Sequence, residues 1–151
     1  MSRQNELKLA DKQLAEANEL EMQGKYSEAL QLFKQASTLY EQWEHWEGWI
    51  NANMQLGYVQ SMCMRNQNGI ALLLQVLEQG KKYLGEEHPL VGDCLHNIGN
   101  CYNGLEKYKL ALGYFQDSLA IKRKKLGERH TDVAKSLNGV GLCYYNSGDY
   151  D

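Results

Sequence analysis

The chain has 151 residues, 43% hydrophobic and 23% charged, the balance of a folded soluble protein. Sixteen Lys plus Arg against nineteen Asp plus Glu leave a net charge of −3, which argues against a nucleic-acid surface with its dense basic footprint. The longest apolar run, Ile70 to Leu74, is far short of the roughly 20 residues of a membrane span. The N-terminus, Met1 to Glu6, is polar and has no signal-peptide core, so cytosolic residence is the default.

Pro89 is the only proline, and everything between turn signals reads as helix. The first helix is expected from about Asn5 to Gln23. Gly24 then breaks the chain, and Tyr26, Ala29, Leu30, Phe33 and Ala36 mark one face of a second helix. A third, from about Trp46 to Arg65, carries Trp49, Ala52, Asn53, Leu56 and Gly57. Its partner, from about Asn68 to Tyr83, turns Ile70, Leu73, Val76 and Leu77 inward. From Pro89, the residues Val91, Leu95, Ile98, Gly99 and Tyr102 share a helical face, and Asn103-Gly104 ends it. Tyr108, Ala111, Leu112, Phe115 and Leu119 form the next face. Lys122 to Lys125 set cations against its dipole, and Gly127 caps it. The basic run reads as helix-end solvation ahead of a docking patch.

The last part repeats what precedes it. Leu84-Gly85-Glu86-Glu87-His88 returns 42 positions later as Leu126-Gly127-Glu128-Arg129-His130. Under the same shift Val91 meets Val133, Leu95 meets Leu137, Gly99 meets Gly141, Cys101-Tyr102 meets Cys143-Tyr144, and Tyr108 meets Tyr150. Gly57 lies 42 positions before Gly99, and Ala17 lies 40 before Gly57. The second unit is eroded, with Asn66 and Gly69 in place of Tyr108 and Ala111. A fixed period in this range marks stacked repeats, none of which buries its apolar face alone. The units are placed at about 5–42, 46–83, 88–125 and 130–151. The last is truncated, so that 1–151 reads as one repeat domain and a fragment of a longer array.

The residues Leu95, Gly99, Tyr102, Tyr108, Ala111 and Phe115, with Ala17, Gly24, Tyr26, Ala29, Phe33 and Ala36, resemble the tetratricopeptide repeat. A 42-residue period also suits HEAT or armadillo repeats, but the Gly–Tyr and Tyr–Ala–Phe placements favour the tetratricopeptide form. The long period and the Leu-Gly-Glu-Glu-His-Pro junction are similar to repeats of the kinesin-light-chain type. The resemblance implies an all-α, right-handed superhelical solenoid of antiparallel helix pairs, about three and a half repeats long. It also implies that the first helix of each pair lines an inner surface.

The outward positions of those first helices are then the candidate contacts: Asp11, Asn18 and Glu21 in the first unit and Asn51, Met54, Tyr58 and Ser61 in the second. In the third they are Asp93, His96, Asn97, Asn100 and Asn103, and in the fourth Lys135, Asn138, Leu142 and Tyr145. A row of amides can hydrogen-bond the main chain of an extended peptide, and Tyr58 and Tyr145 add aromatic anchors. The plainer reading is that asparagine is a tolerated polar residue on an exposed face. A clamp on a partner's terminal carboxylate needs paired Lys and Asn, and only Lys135 fits.

Cys94, His96 and Cys101 do not converge as metal ligands, since His96 points about 200° from Cys94 around a helix. The four cysteines read as small apolar residues, and His88 and His130, at matching places before a helix, read as caps. No nucleophile, base and orienting group stand together, so no enzyme activity and no cofactor are expected. The expected role is a scaffold binding a peptide segment of a partner protein. The alternative is a regulatory or sensing arm of a larger signalling enzyme. End-to-end self-association through the face of Leu137, Val140 and Tyr144 is a third, structural expectation.

Overall fold

The structure is a computed structural model and describes residues 2–64 and 67–148. The described residues form seven α-helices: α1 (Arg3–Met22), α2 (Tyr26–Gln42), α3 (Trp46–Tyr58), α4 (Asn68–Leu84), α5 (Pro89–Gly104), α6 (Tyr108–Leu126) and α7 (Thr131–Ser147). Arg65, Asn66 and Tyr150, each given a place in the repeat pattern above, lie outside the described residues. Contacts divide the chain into two compact units, Met1–Val76 and Leu77–Asp151.

Local chemistry sets the helix starts. Ser2 caps α1 by accepting from Asn5 N–H. Three histidines do the same work for the later first helices. Nδ1 of His45 accepts from Gly48 N–H, that of His88 from Leu90 N–H, and that of His130 from Asp132 N–H. Each satisfies one of the orphan donors of a helix N-terminus. The capping role read for His88 and His130 holds, and His45 joins them. Pro89 opens α5, where its missing N–H costs nothing. Gly24, Gly85, Gly127 and Gly148 all have positive φ, and each closes the helix that precedes it.

Within Met1–Val76, α2 packs between α1 and α3. Phe33 and Ala29 of α2, Ala17 of α1, and Leu56 and Val59 form one buried cluster, and Ala10, Ala36, Tyr40 and Ala52 form another. Burial of a Phe33-sized ring is worth roughly 2–3 kcal/mol. Polar groups tie the free ends of the pair. Trp43 Nε1–H donates to Glu6 at 2.5 Å, and Tyr40 O–H donates to Asp11 at 2.6 Å. Asn53, buried on α3, donates to Ser37 Oγ and to the Trp49 carbonyl.

After Tyr58, residues Val59–Cys63 widen into a π-helical turn, with Met64 N–H bonded to the Val59 carbonyl. This is the eroded second unit. Gly69 takes the place of Ala111, and a Cβ there would collide with the Gly57 carbonyl and with Ser61, which brings the two helix backbones into direct contact. Within Leu77–Asp151, α6 packs between α5 and α7. Ala111, Phe115 and Cys143 form its central cluster, with Tyr102, Leu112 and Val140 against it.

Candidate functional site

Each unit presents its own part of the proposed face. In Met1–Val76, Asn18 is exposed on α1, and Asn51 and Tyr58 are half-buried on α3. Met54, expected to point outward, is buried instead at 3% exposure. Asp11, also expected to face outward, is engaged by the Tyr40 hydroxyl. On α7 Leu142 is exposed, and eight further candidates lie on α5 and α7 of Leu77–Asp151.

These eight play unequal parts. Asp93 is tied to Lys122 of α6, with Nζ to Oδ1 3.2 Å. Lys122 is 2% exposed, so it is no solvated helix end: its cation reaches from α6 through to the α5 surface. The same brace exists in the first unit. Asp11 and Tyr40 are separated by 29 positions, as are Asp93 and Lys122, and they sit at the matching repeat register. A phenol donates in one pair and an ammonium in the other, so the α1–α2 and α5–α6 pairs are locked at the same point by different chemistry. Burial, helped by the Asp11 carboxylate, raises the Tyr40 phenol well above its ordinary range and keeps it a donor.

His96 faces inward as well as outward. Its ring lies 5.2 Å from that of Phe115, and its Nδ1 is buried with no hydrogen-bond partner. Burial first, and then Lys122 and Lys135, push its pKa down to about 4, against an opposing pull from Asp132. His96 is therefore neutral at pH 7, and part of the α5–α6 packing. Asn103 bridges the two helices by accepting from Asn146 at 3.3 Å and weakly from the Cys143 thiol at 3.9 Å. Sequence reasoning missed Asn146 because the matching position one unit earlier is Gly104. Lys135 is exposed and stands 3.8 Å from Asp132 of its own helix.

Among the described residues, no hydrogen bond engages the side-chain amides of Asn97, Asn100 or Asn138. With Lys135 and the exposed Tyr145 they form the surface that the α5–α7 pair leaves available. Its charges largely cancel: Lys122 offsets Asp93 and Lys135 offsets Asp132. What remains is neutral and rich in donors and acceptors. The four cysteines are free thiols, and burial pushes the Cys94 thiol up to about 12, so it is inert as a nucleophile at neutral pH. No group of His, Cys, Asp and Glu among the described residues is placed to hold a metal ion. No helix among them is long and apolar enough to cross a membrane.

Comparison with known proteins agrees with this geometry. Residues 50–124 match the tetratricopeptide repeat family. No curated protein matches the chain. Among solved structures, the nearly identical TPR-like repeats of a candidate kinesin light chain from Podosopora anserina superpose with a TM-score of 0.80 at 22% identity, covering 95% of this chain and 69% of that one. A single-substitution variant of the same protein gives the same score and identity, over 99% and 70% of the two chains. BtubC (BKLC) from P. vanneervenii gives 0.67 at 18% identity, over 99% and 68%. The fold is thus that of a TPR-like repeat solenoid, and residues 50–124 match the tetratricopeptide repeat family.

Proposed function

We propose that this protein is a non-catalytic scaffold that holds an extended segment of a partner protein against its first helices. Tetratricopeptide repeats in general serve protein–protein interaction, and kinesin-light-chain-like repeats belong to scaffold families. The observation that carries the finer reading is the set of unengaged amides. Asn97, Asn100 and Asn138 offer both donors and acceptors on a surface whose charges are already paired. Such a surface satisfies peptide N–H and C=O groups without selecting side chains. Tyr58 and Tyr145 supply the apolar contacts that set affinity. Asn18 and Asn51 carry the same chemistry within Met1–Val76, on α1 and α3. A cytosolic setting goes with this reading and with four free thiols.

The test is a peptide-array screen on the intact chain, followed by Asn97→Ala and Asn100→Ala. Each substitution removes about 1 kcal/mol of hydrogen bonding, so affinity falls roughly five- to tenfold. Peptides that bind both variants as well as the parent place the site elsewhere.

A further inference from the structure

His96 and Asn138 hold the same repeat position, 42 residues apart, on α5 and α7. They differ in what they can offer a main chain. Asn138 can turn either its carbonyl or its NH2 outward, so it meets a peptide N–H or a peptide C=O equally well. A neutral imidazole has one N–H and one lone pair, and the nitrogen that holds the proton decides what the ring offers.

The packing of α5 on α6 decides it for His96. The ring lies 5.2 Å from that of Phe115, and Nδ1 is the atom turned inward, buried and without a hydrogen-bond partner. Nε2 makes no hydrogen bond within the protein but is not buried, so it opens to solvent. Asn100, one turn further along α5, is its neighbour on that side. A proton on Nδ1 would be a donor shut away from every acceptor. Buried N–H groups of that kind are rarer in proteins than acceptors with a spare lone pair. Charge points the same way. Lys122 is only 2% exposed and its ammonium acts on the ring from the buried side. A cation there favours an inward lone pair over an inward N–H. Lys135 and Asp132 act on the ring with opposite signs.

We infer that His96 is held as the Nε2–H tautomer and is a fixed donor on the candidate face, reading a main-chain carbonyl of the bound segment. This rests on the proposed reading that an extended segment lies across α5 and α7. Asn97, Asn100 and Asn138 accept either polarity of the peptide group, so alone they leave the register of the segment open. His96 admits only the carbonyl, because its outward nitrogen has no lone pair for a peptide N–H. Packed helices are roughly 8–10 Å apart and an extended chain rises about 3.3 Å per residue. A segment that sets a carbonyl on His96 therefore reaches Asn138 about three residues further on.

Nitrogen NMR of the intact chain at pH 7 reads the tautomer directly. The expected result is a bare Nδ1 and a protonated Nε2; a proton on Nδ1, or exchange between the two forms, overturns the assignment. A short uncharged peptide of glycine, serine and leucine, acetylated and amidated, is the probe for main chain, and sodium acetate is the probe for a carboxylate. The peptide should shift the His96 Nε2 resonance and acetate should not. A response to acetate alone, or to neither, overturns the carbonyl contact. His96→Phe keeps a ring against Phe115 and removes the donor, so it should weaken the peptide roughly five- to tenfold, as Asn97→Ala does. Weakening by Asn97→Ala alone leaves the peptide face standing and removes His96 from it; no effect of either variant removes both. The two NMR readings use the unsubstituted chain, so they decide the matter even if His96→Phe does not fold.

Discussion

Gly99 and Gly141 are the same residue one repeat apart, yet the same substitution should act on them with opposite sign. In a helix interior, Ala is favoured over Gly by about 1 kcal/mol. At Gly141 nothing lies within 4 Å, so Gly141→Ala should realise that gain in full. At Gly99 a new Cβ would stand 2.8 to 3.0 Å from three atoms of the Phe115 ring. The ring cannot retreat, because a Cβ at Gly139 on α7 would stand equally close to it, and Phe115 is fully buried between the two helices. Overpacking of this kind costs roughly 1–3 kcal/mol, and here the aromatic is held from both sides, toward the upper part of that range. The net effect of Gly99→Ala is then a loss of about 1–2 kcal/mol. Native-state hydrogen exchange in α5, α6 and α7 is the suitable assay, since repeat chains need not unfold in two states. Shrinking the ring with Phe115→Leu should remove most of the Gly99→Ala penalty in a double-mutant cycle. If both glycines respond with the same sign, or if Phe115→Leu gives no rescue, the wedge account of this core is wrong.

The Asp93–Lys122 brace should be lopsided. Asp93→Asn leaves the buried Lys122 ammonium without a counter-charge and should cost about 3 kcal/mol, whereas Lys122→Met leaves a carboxylate that water reaches and should be near neutral; chemical denaturation of the two variants decides. For His96, whose pKa falls from 6.5 to about 4 on folding, the unfolded chain binds the extra proton first. Its neutral-state advantage is therefore complete above pH 6.5 and is lost as pH falls from 6.5 toward 4, on the order of 3 kcal/mol over that window. His96→Gln should flatten that part of the stability profile; an unchanged slope would mean that His96 is not the group responsible.

The repeat, the helices and most of the core were legible in the sequence, because one spacing rule governs both a helical face and the stacking of helices. Val91, Ile98, Ala111 and Phe115 are buried as their periodicity requires. The histidine caps were legible at His88 and His130 because the chain states them twice. The π-helical turn after Tyr58 and the backbone contact of Gly57 with Gly69 were not, since a gap in a pattern does not say how it is closed.

For the candidate face, periodicity assigned each residue to a helix, and tertiary structure decided what each is free to do. Periodicity fixes direction around a helix, but availability depends on neighbours distant in the chain. Thus Asp93 belongs to Lys122, His96 to Phe115 and Asn103 to Asn146, while Asn97, Asn100 and Asn138 keep their amides open. The equality of Gly99 and Gly141 is a fact of sequence. That one is a socket for an aromatic ring and the other an open notch follows only from which helix lies across it.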